Sequence, residues 1–276
     1  MSLLKYAVLP LLNNKKFVLL FLLNYSLGLA GFVALNFFKD SMTEVFNDRS
    51  KAILGADLGL SSRRPIKPEE VQQVKKLLGS DVSSDMIEVF TMLANSSGRS
   101  LLTQIKAVDS QFPFYGQIRL DRNSGENVLG QSLELQEKNL IWLYPEIARR
   151  LKVSWGDKVK LGEAEFTFVA TVADDSAQGI TTSMAPRAYI HMERLPETKV
   201  IQFGSVAWYS QLFQAQSLSL PEINTIKDEL KSKIKSTDLR IYTHIDTSEQ
   251  MARFMKYLND FLGLSSLSAL FWLLSE

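Results

Sequence analysis

The chain has 276 residues, a formal net charge of +1 and no cysteine. A near-neutral balance offers no concentrated positive face for nucleic acid. The missing thiols exclude disulfides, thiol catalysis and cysteine-ligated zinc.

Lys5, Lys15 and Lys16 lie in residues 1–16, ahead of the first apolar run, and favour a cytoplasmic N-terminus. Residues 17–38 (FVLLFLLNYSLGLAGFVALNFF) then form an apolar run without a charge. At about 1.5 Å rise per residue, a helix of that length spans the roughly 30 Å core of a bilayer. The run is longer than a signal-peptide h-region of about 7–15 residues, and no A-x-A site follows it, so an uncleaved anchor is expected. Residues 37–52 have mixed polarity at helical spacing and read as a stalk continuing this helix.

Between about residues 39 and 250 lies enough chain for one large domain or two small ones with real cores. Ile53, Leu54, Leu58 and Leu60 suit a short buried strand among Gly55, Gly59 and Pro65. Residues 67–78 predict a helix, with Pro68 in its first turn, Glu69 and Glu70 at the positive end of its dipole, and Gly79 as the stop. Residues 86–94 and 101–108 flank NSSGRS and predict a β-hairpin. FPFYGQIRL (112–120) follows as a third strand-like run, and 121–132 are rich in turn residues.

The texture changes over 141–175. PEIARRL predicts a short helix, and VSWGDKVKLGEAEFTFVATVADD predicts strands of period two with Gly156-Asp157 and Gly162-Glu163 as turns. This stretch reads as a small inserted β-subdomain. Strands at 188–190 and 205–214, a helix at 221–234 with Ile223, Ile226, Leu230 and Ile234 on one face, and a strand at 238–242 complete the domain. The fold class expected is α+β, antiparallel in pairing, with helices layered on the sheet.

The chain closes with TSEQMARFMKYLND and a 14-residue apolar run, 261–274, too short for a full span. Residues 251–276 read as a stalk and the start of a second membrane helix; an amphipathic helix packed on the domain is the alternative.

Chemistry is sparse. There is no P-loop, no G-x-S-x-G elbow and no H-E-x-x-H. His191 and His244 each stand alone beside a strand end, which suits a structural role. Asp174 and Asp175 would face opposite ways in a strand and so share no proton or metal, and with Ser176, Gln178 and Gly179 after them they read as a turn. Asn95-Ser96-Ser97 matches a glycosylation sequon. Arg63 and Arg64 suit either an anionic group or an internal ion pair. Phe112, Phe114 and Tyr115 around Pro113 form either a core plug or an apolar contact for a substrate or partner. These five residues are the candidate contact site; no catalytic, cofactor or metal residue is expected.

Three stretches carry a resemblance. LGADLGLSSRRP has an L-x-x-D-L-x-x-x-S-x-R-P pattern, VDSQFPFYG a V-x-x-x-F-P-F-Y-G pattern, and LKVSWGDKVKLG an L-x-V-x-x-G-D-x-V-x-I-G pattern with Leu161 at the isoleucine. Together they resemble FtsX-like ABC-transporter permeases with a MacB-like periplasmic core domain, along the chain from about residue 15 to the end. The resemblance implies a bacterial inner-membrane permease subunit with its main domain in the periplasm. A separate cytoplasmic ABC ATPase would drive export or release of a hydrophobic or amphiphilic substrate, with a permease dimer as the candidate assembly and no catalysis by the permease. That pattern continues with further membrane helices, so the sequence reads as an N-terminal fragment. A membrane-anchored binding or sensor protein is the alternative reading, and an anchored hydrolase a third.

Overall fold

The computed structural model describes residues 51–122, 127–176, 185–202, 204–215, 220–234 and 238–243, with single positions elsewhere. The chain divides into two compact units, residues 49–247 and residues 1–48 with 248–276.

Of the second of these units, only scattered positions are described. Among the described residues no helix is long and apolar enough to cross a membrane. The expected anchor at 17–38 and the expected second membrane segment at 251–276 fall largely outside the described residues. Where the anchor is described it is helical, and Leu19, Val33, Phe37 and Phe38 expose half or more of their surface.

The unit 49–247 is built on one eleven-stranded sheet. Its elements are β1 (Leu58–Ser62), α1 (Pro68–Leu78), β2 (Ser83–Asn95), β3 (Ser100–Val108), β4 (Ile118–Asp121), β5 (Asn127–Gly130), β6 (Leu140–Leu143), α2 (Pro145–Leu151), β7 (Lys158–Leu161), β8 (Ala164–Asp175), β9 (Arg187–His191), β10 (Ala207–Phe213), α3 (Leu220–Lys233) and β11 (Arg240–Thr243). Short 3-10 turns, Ser132–Leu135 and Met192–Arg194 among them, join some of these.

The sheet follows the order β11-β1-β10-β2-β3-β9-β6-β8-β4-β5, and β7 pairs with both β2 and β8. That last pairing closes a ring: β2, β3, β9, β6, β8, β7 and back to β2. Two long strands make it feasible. β2 gives residues 83–89 to β10 and 93–95 to β7. β8 serves β7, then β6, then β4 along its length. Ring closure removes exposed edges and encloses side chains from every second position. Ile105, Ile141, Val159, Leu161, Phe166 and Phe168 fill one face. Helix α2 adds Ile147 and Leu151 to that cluster. Each large side chain so enclosed contributes about 1.5–3 kcal/mol of transfer free energy.

The other face carries Trp142, Tyr189, Leu120, Val172 and Leu135, covered by the loop that contains Phe112. A third cluster lies beyond the ring, where α1 and α3 pack Val74, Leu78, Ile223 and Leu230 against Leu58, Leu60 and Phe213.

Several expectations change here. Pairing is mixed, because β3–β9 and β6–β8 run parallel. The segment 141–175 does not stand apart as an inserted module: its strands share the ring with β2, β3 and β9. Period-two alternation reveals that a strand exists but not which strand it will meet. Ile53 and Leu54 are helical rather than extended, and β1 starts at Leu58. Of the run 112–120 only its last three residues enter a strand; before them the Phe112–Pro113 peptide bond is cis and the chain is a loop. Asp174 and Asp175 end β8 rather than forming a turn.

Candidate functional site

The strongest site is the root of the domain, where the chain comes in from residues 51–54 and goes out after Thr243. In the register of β1 with β11, Leu58 lies opposite Thr243. The first strand therefore begins beside the residue where the last one ends. Both flanking segments leave from one end of one strand pair.

Asp57 organises this root. It is fully buried. Its carboxylate accepts from the Tyr115 hydroxyl at 2.6 Å and from the Ala215 amide at 2.8 Å. Lys51 Nζ approaches its other oxygen at 2.8 Å. The same ammonium lies 5.4 Å from the Tyr115 ring centroid. Burial, then the bond to Asp57, pushes the Tyr115 phenol up to about 12, so it remains a neutral donor at neutral pH. Backbone contacts reinforce the joint. The amides of Phe114 and Tyr115 donate to Gly55 O at 3.0 and 3.4 Å, and Asp57 N donates to Phe213 O at 3.0 Å. Gly116 sits at φ +86° against the Ala52 carbonyl, where a Cβ would come within 3.0 Å of that oxygen. A positive φ and a close backbone both require glycine there.

The FPFY aromatics thus behave as a plug and a latch. Phe112 is buried, and Phe114 packs against the same cluster. Lys106 Nζ lies 5.1 Å from the Phe112 ring centroid. Arg64 is held in a fork by Glu70 at 2.7 and 3.3 Å and donates to Ser236 at 2.8 Å. The bond from Arg64 is the main influence holding the Glu70 carboxyl below its ordinary range, although burial opposes it. Glu70 also accepts from Lys67 N, capping α1. Arg63 is exposed, with its guanidinium 5.7 Å from the Trp208 ring centroid. Among the candidate contacts, then, Tyr115 and Phe114 meet the root, Phe112 underlies it, and the two arginines lie apart from it.

Two further polar groups are deeply placed. Asp175 is buried and accepts from the Tyr189 hydroxyl and from Tyr144 at 3.0 Å. Neighbouring Lys106 is also buried, and burial pushes its ammonium below the ordinary lysine range while Glu88 and Asp175 oppose that shift. These charges join β3, β8 and β9 on the outer face of the ring. Sequence reading missed Lys106 because a lone lysine in a strand looks like a solvated one.

His191 is buried and touches Ser110, Nε2 to Oγ at 3.1 Å. The Glu193 amide donates to its Nδ1 at 3.3 Å. Nδ1 is thus the acceptor, and the neutral ring carries its proton on Nε2. Nε2–H donates to Ser110 Oγ, which donates onward to Gln136 Oε1 at 3.1 Å. A general base must accept the serine proton; here the polarity is reversed. His244 lies outside the described residues.

Asn95 spends its side chain on the turn. Its amide donates to Leu151 O at 2.7 Å while its Oδ1 accepts from Ser97 and Arg99. Asp157 likewise caps a turn, accepting from Ser154 N at 2.8 Å.

The sequence reading also missed an exposed apolar stripe. Met92 lies opposite Leu102 in the hairpin register, both about half exposed, and Phe90 makes an edge contact with Trp208 at 5.8 Å.

No protein-family model matches the chain, and no curated protein matches it. Among solved structures it is similar to the periplasmic region of MacB from Actinobacillus actinomycetemcomitans, at 12% identity and a TM-score of 0.47 over 74% of this chain and 95% of that one. It is similar also to the extracellular domain of the noncanonic ABC-type transporter YknZ from Gram-positive bacteria, at 12% identity and a TM-score of 0.43 over 68% of this chain and 100% of that one. A third likeness is to a domain of a permease protein from Porphyromonas gingivalis, at 9% identity and a TM-score of 0.40 over 69% of this chain and 88% of that one.

Proposed function

We propose that the chain is the outer domain and membrane anchor of an ABC-transporter permease. In this reading a cytoplasmic ATPase drives two membrane helices, and the outer domain converts their movement into export or release of an amphiphilic substrate in the periplasm.

One observation carries the reading: the root. A domain meant to pass on motion needs its incoming and outgoing segments side by side and firmly tied to its core. Leu58 beside Thr243 meets the first requirement. The Asp57 junction meets the second, and two of the three sequence patterns that carry the permease resemblance meet there, Asp57 from one and Tyr115 from the other. At the outgoing end, Lys227 pairs with Asp246, which also accepts from Thr243 N at 2.7 Å. Exposed apolar side chains on the helical positions within 17–38 support a lipid environment for that segment.

The test is affinity purification of the chain from its native membranes. An ATPase is expected to co-purify, and its turnover is expected to lose coupling to transport when Asp57→Ala opens the root. A chain that stays in the membrane fraction without any ATPase would instead fit an anchored binding protein, a reading that the Phe90–Met92–Leu102 stripe favours.

A further inference from the structure

The loop 109–117, which carries the latch of the root, is fastened at its other end by a closed circuit of hydrogen bonds. The Glu193 amide donates to His191 Nδ1 at 3.3 Å. His191 Nε2 donates to Ser110 Oγ at 3.1 Å. Ser110 Oγ donates to Gln136 Oε1 at 3.1 Å, and Gln136 Nε2 donates back to Glu193 Oε1 at 3.1 Å. Arg194 adds a bond to Gln136 O at 2.8 Å. Four donors and four acceptors close the circuit. One member, His191, changes its donor and acceptor inventory when its imidazole takes a proton.

We propose that His191 is a proton-responsive clasp on the loop 109–117: protonation at Nδ1 opens the circuit, frees the Ser110 end of the loop and loosens the root that the loop holds at Gly55 and Asp57. The argument is one of donors. Neutral His191 accepts at Nδ1, but the imidazolium has a donor at both nitrogens. A protonated Nδ1 would face the Glu193 N–H, two donors with no acceptor between them. The ring and the Met192–Arg194 turn must then part. Ser110 follows, because its partner His191 and its partner Gln136 are both tied to that turn. Ser110 lies four residues before Phe114, whose amide donates to Gly55 O at 3.0 Å.

The charged groups that face the ring are Glu193 and Arg194 from the turn after β9 and Asp109 from the end of β3. Asp109 is itself spoken for: it accepts from Ser84 Oγ at 2.7 Å, Asp85 N at 2.8 Å and Gln111 N at 2.9 Å. Behind it stands Asp85 of β2, whose carboxyl burial pushes up. Burial is the largest influence on the ring and favours its neutral form, which Arg194 also favours, while Glu193 and Asp109 oppose them. The closed circuit therefore belongs to the higher end of the pH range and the open one to the lower.

The clasp does not depend on what the chain transports, and its test reads the domain alone. Hydrogen exchange of the full chain in lipid nanodiscs would be followed from about pH 8 to about pH 5, with intrinsic exchange rates divided out. Protection over 109–117 and over 51–57 is expected to fall together, by at most about tenfold per pH unit, the limit for one proton. The imidazole resonances of His191 are expected to titrate over the same interval. His191→Asn keeps an acceptor near the Glu193 amide and cannot take the proton, so its protection is expected to be flat with pH. Ser110→Ala cuts the loop from the circuit: exchange over 109–117 should be raised throughout and independent of pH, while His191 still titrates. Unchanged protection in the wild-type chain across the range overturns the proposal. So does a fall in His191→Asn equal to that in the wild type, which would assign the effect to another group.

Discussion

Asp57 shows how one buried carboxylate organises a junction. Removing a charged acceptor from a site where it holds two hydrogen bonds and an ammonium leaves several groups without a partner at once. Asp57→Ala is expected to cost about 3–5 kcal/mol by urea unfolding, as for a buried pair that loses one member. Lys51 lies 41% exposed, so its own replacement should cost far less. Tyr115→Phe keeps the ring but removes the donor to Asp57, and should cost about 1.5–3 kcal/mol, the range for a bond to a charged group. His191 yields a pH prediction with a definite sign. Its folded-state pKa is depressed, so the unfolded chain binds the proton more readily. That stability is present above the ordinary value of about 6.5 and is lost as pH falls through the folded one. The urea midpoint should therefore drop on acidification, with a smaller drop in His191→Asn. None of these partners could be read from sequence. Asp57 and Tyr115 are far apart along the chain, and only the quoted patterns marked them as worth watching.

Gly59 shows the same limit for an element. The sequence only places it beside the residues of a short buried strand. In β1 it lies opposite Tyr242 of β11, and the tyrosine ring occupies the space where a Cβ would be. Glycine inside a strand marks such a close approach. Gly59→Val should push Tyr242 outward and peel β11 from β1, raising hydrogen exchange at 240–243 while the ring strands stay protected. If β11 remains as protected as before, the Tyr242 ring is not what requires glycine. Elements with local rules were legible. Helix α1 starts at Pro68 and stops at Gly79 with φ +63°, and the β2–β3 and β7–β8 hairpins follow their turn residues. Elements defined by distant partners were not. Nothing in β9 announces a parallel partnership with β3, and nothing in the local pattern of β7 announces that it joins β2. The Asp174-Asp175 pair reads as a turn in sequence because Ser176, Gln178 and Gly179 follow it. Here the pair continues β8 alongside β4, and Asp175 turns inward to two tyrosines.

At the scale of the molecule, the ring separates two duties. Among the described residues, the core clusters are drawn entirely from the unit 49–247, and the root lies where that unit's first and last strands meet. The unit 49–247 should therefore fold by itself, with one cooperative urea transition, and should not float with liposomes, whereas the full chain should. The stripe of Phe90, Met92 and Leu102 lies outside this economy. Its side chains are 37–49% exposed, and no core cluster includes them. Exposed apolar side chains grouped on a sheet face usually serve contact rather than stability. Replacing all three by serine should leave the thermal midpoint of the unit within a few degrees, since surface changes usually shift stability by less than about 0.5 kcal/mol each. Transport, or capture of whatever binds there, should fall in the same variant. A large loss of stability instead would assign the stripe to the packing of the hairpin and take it out of the functional surface.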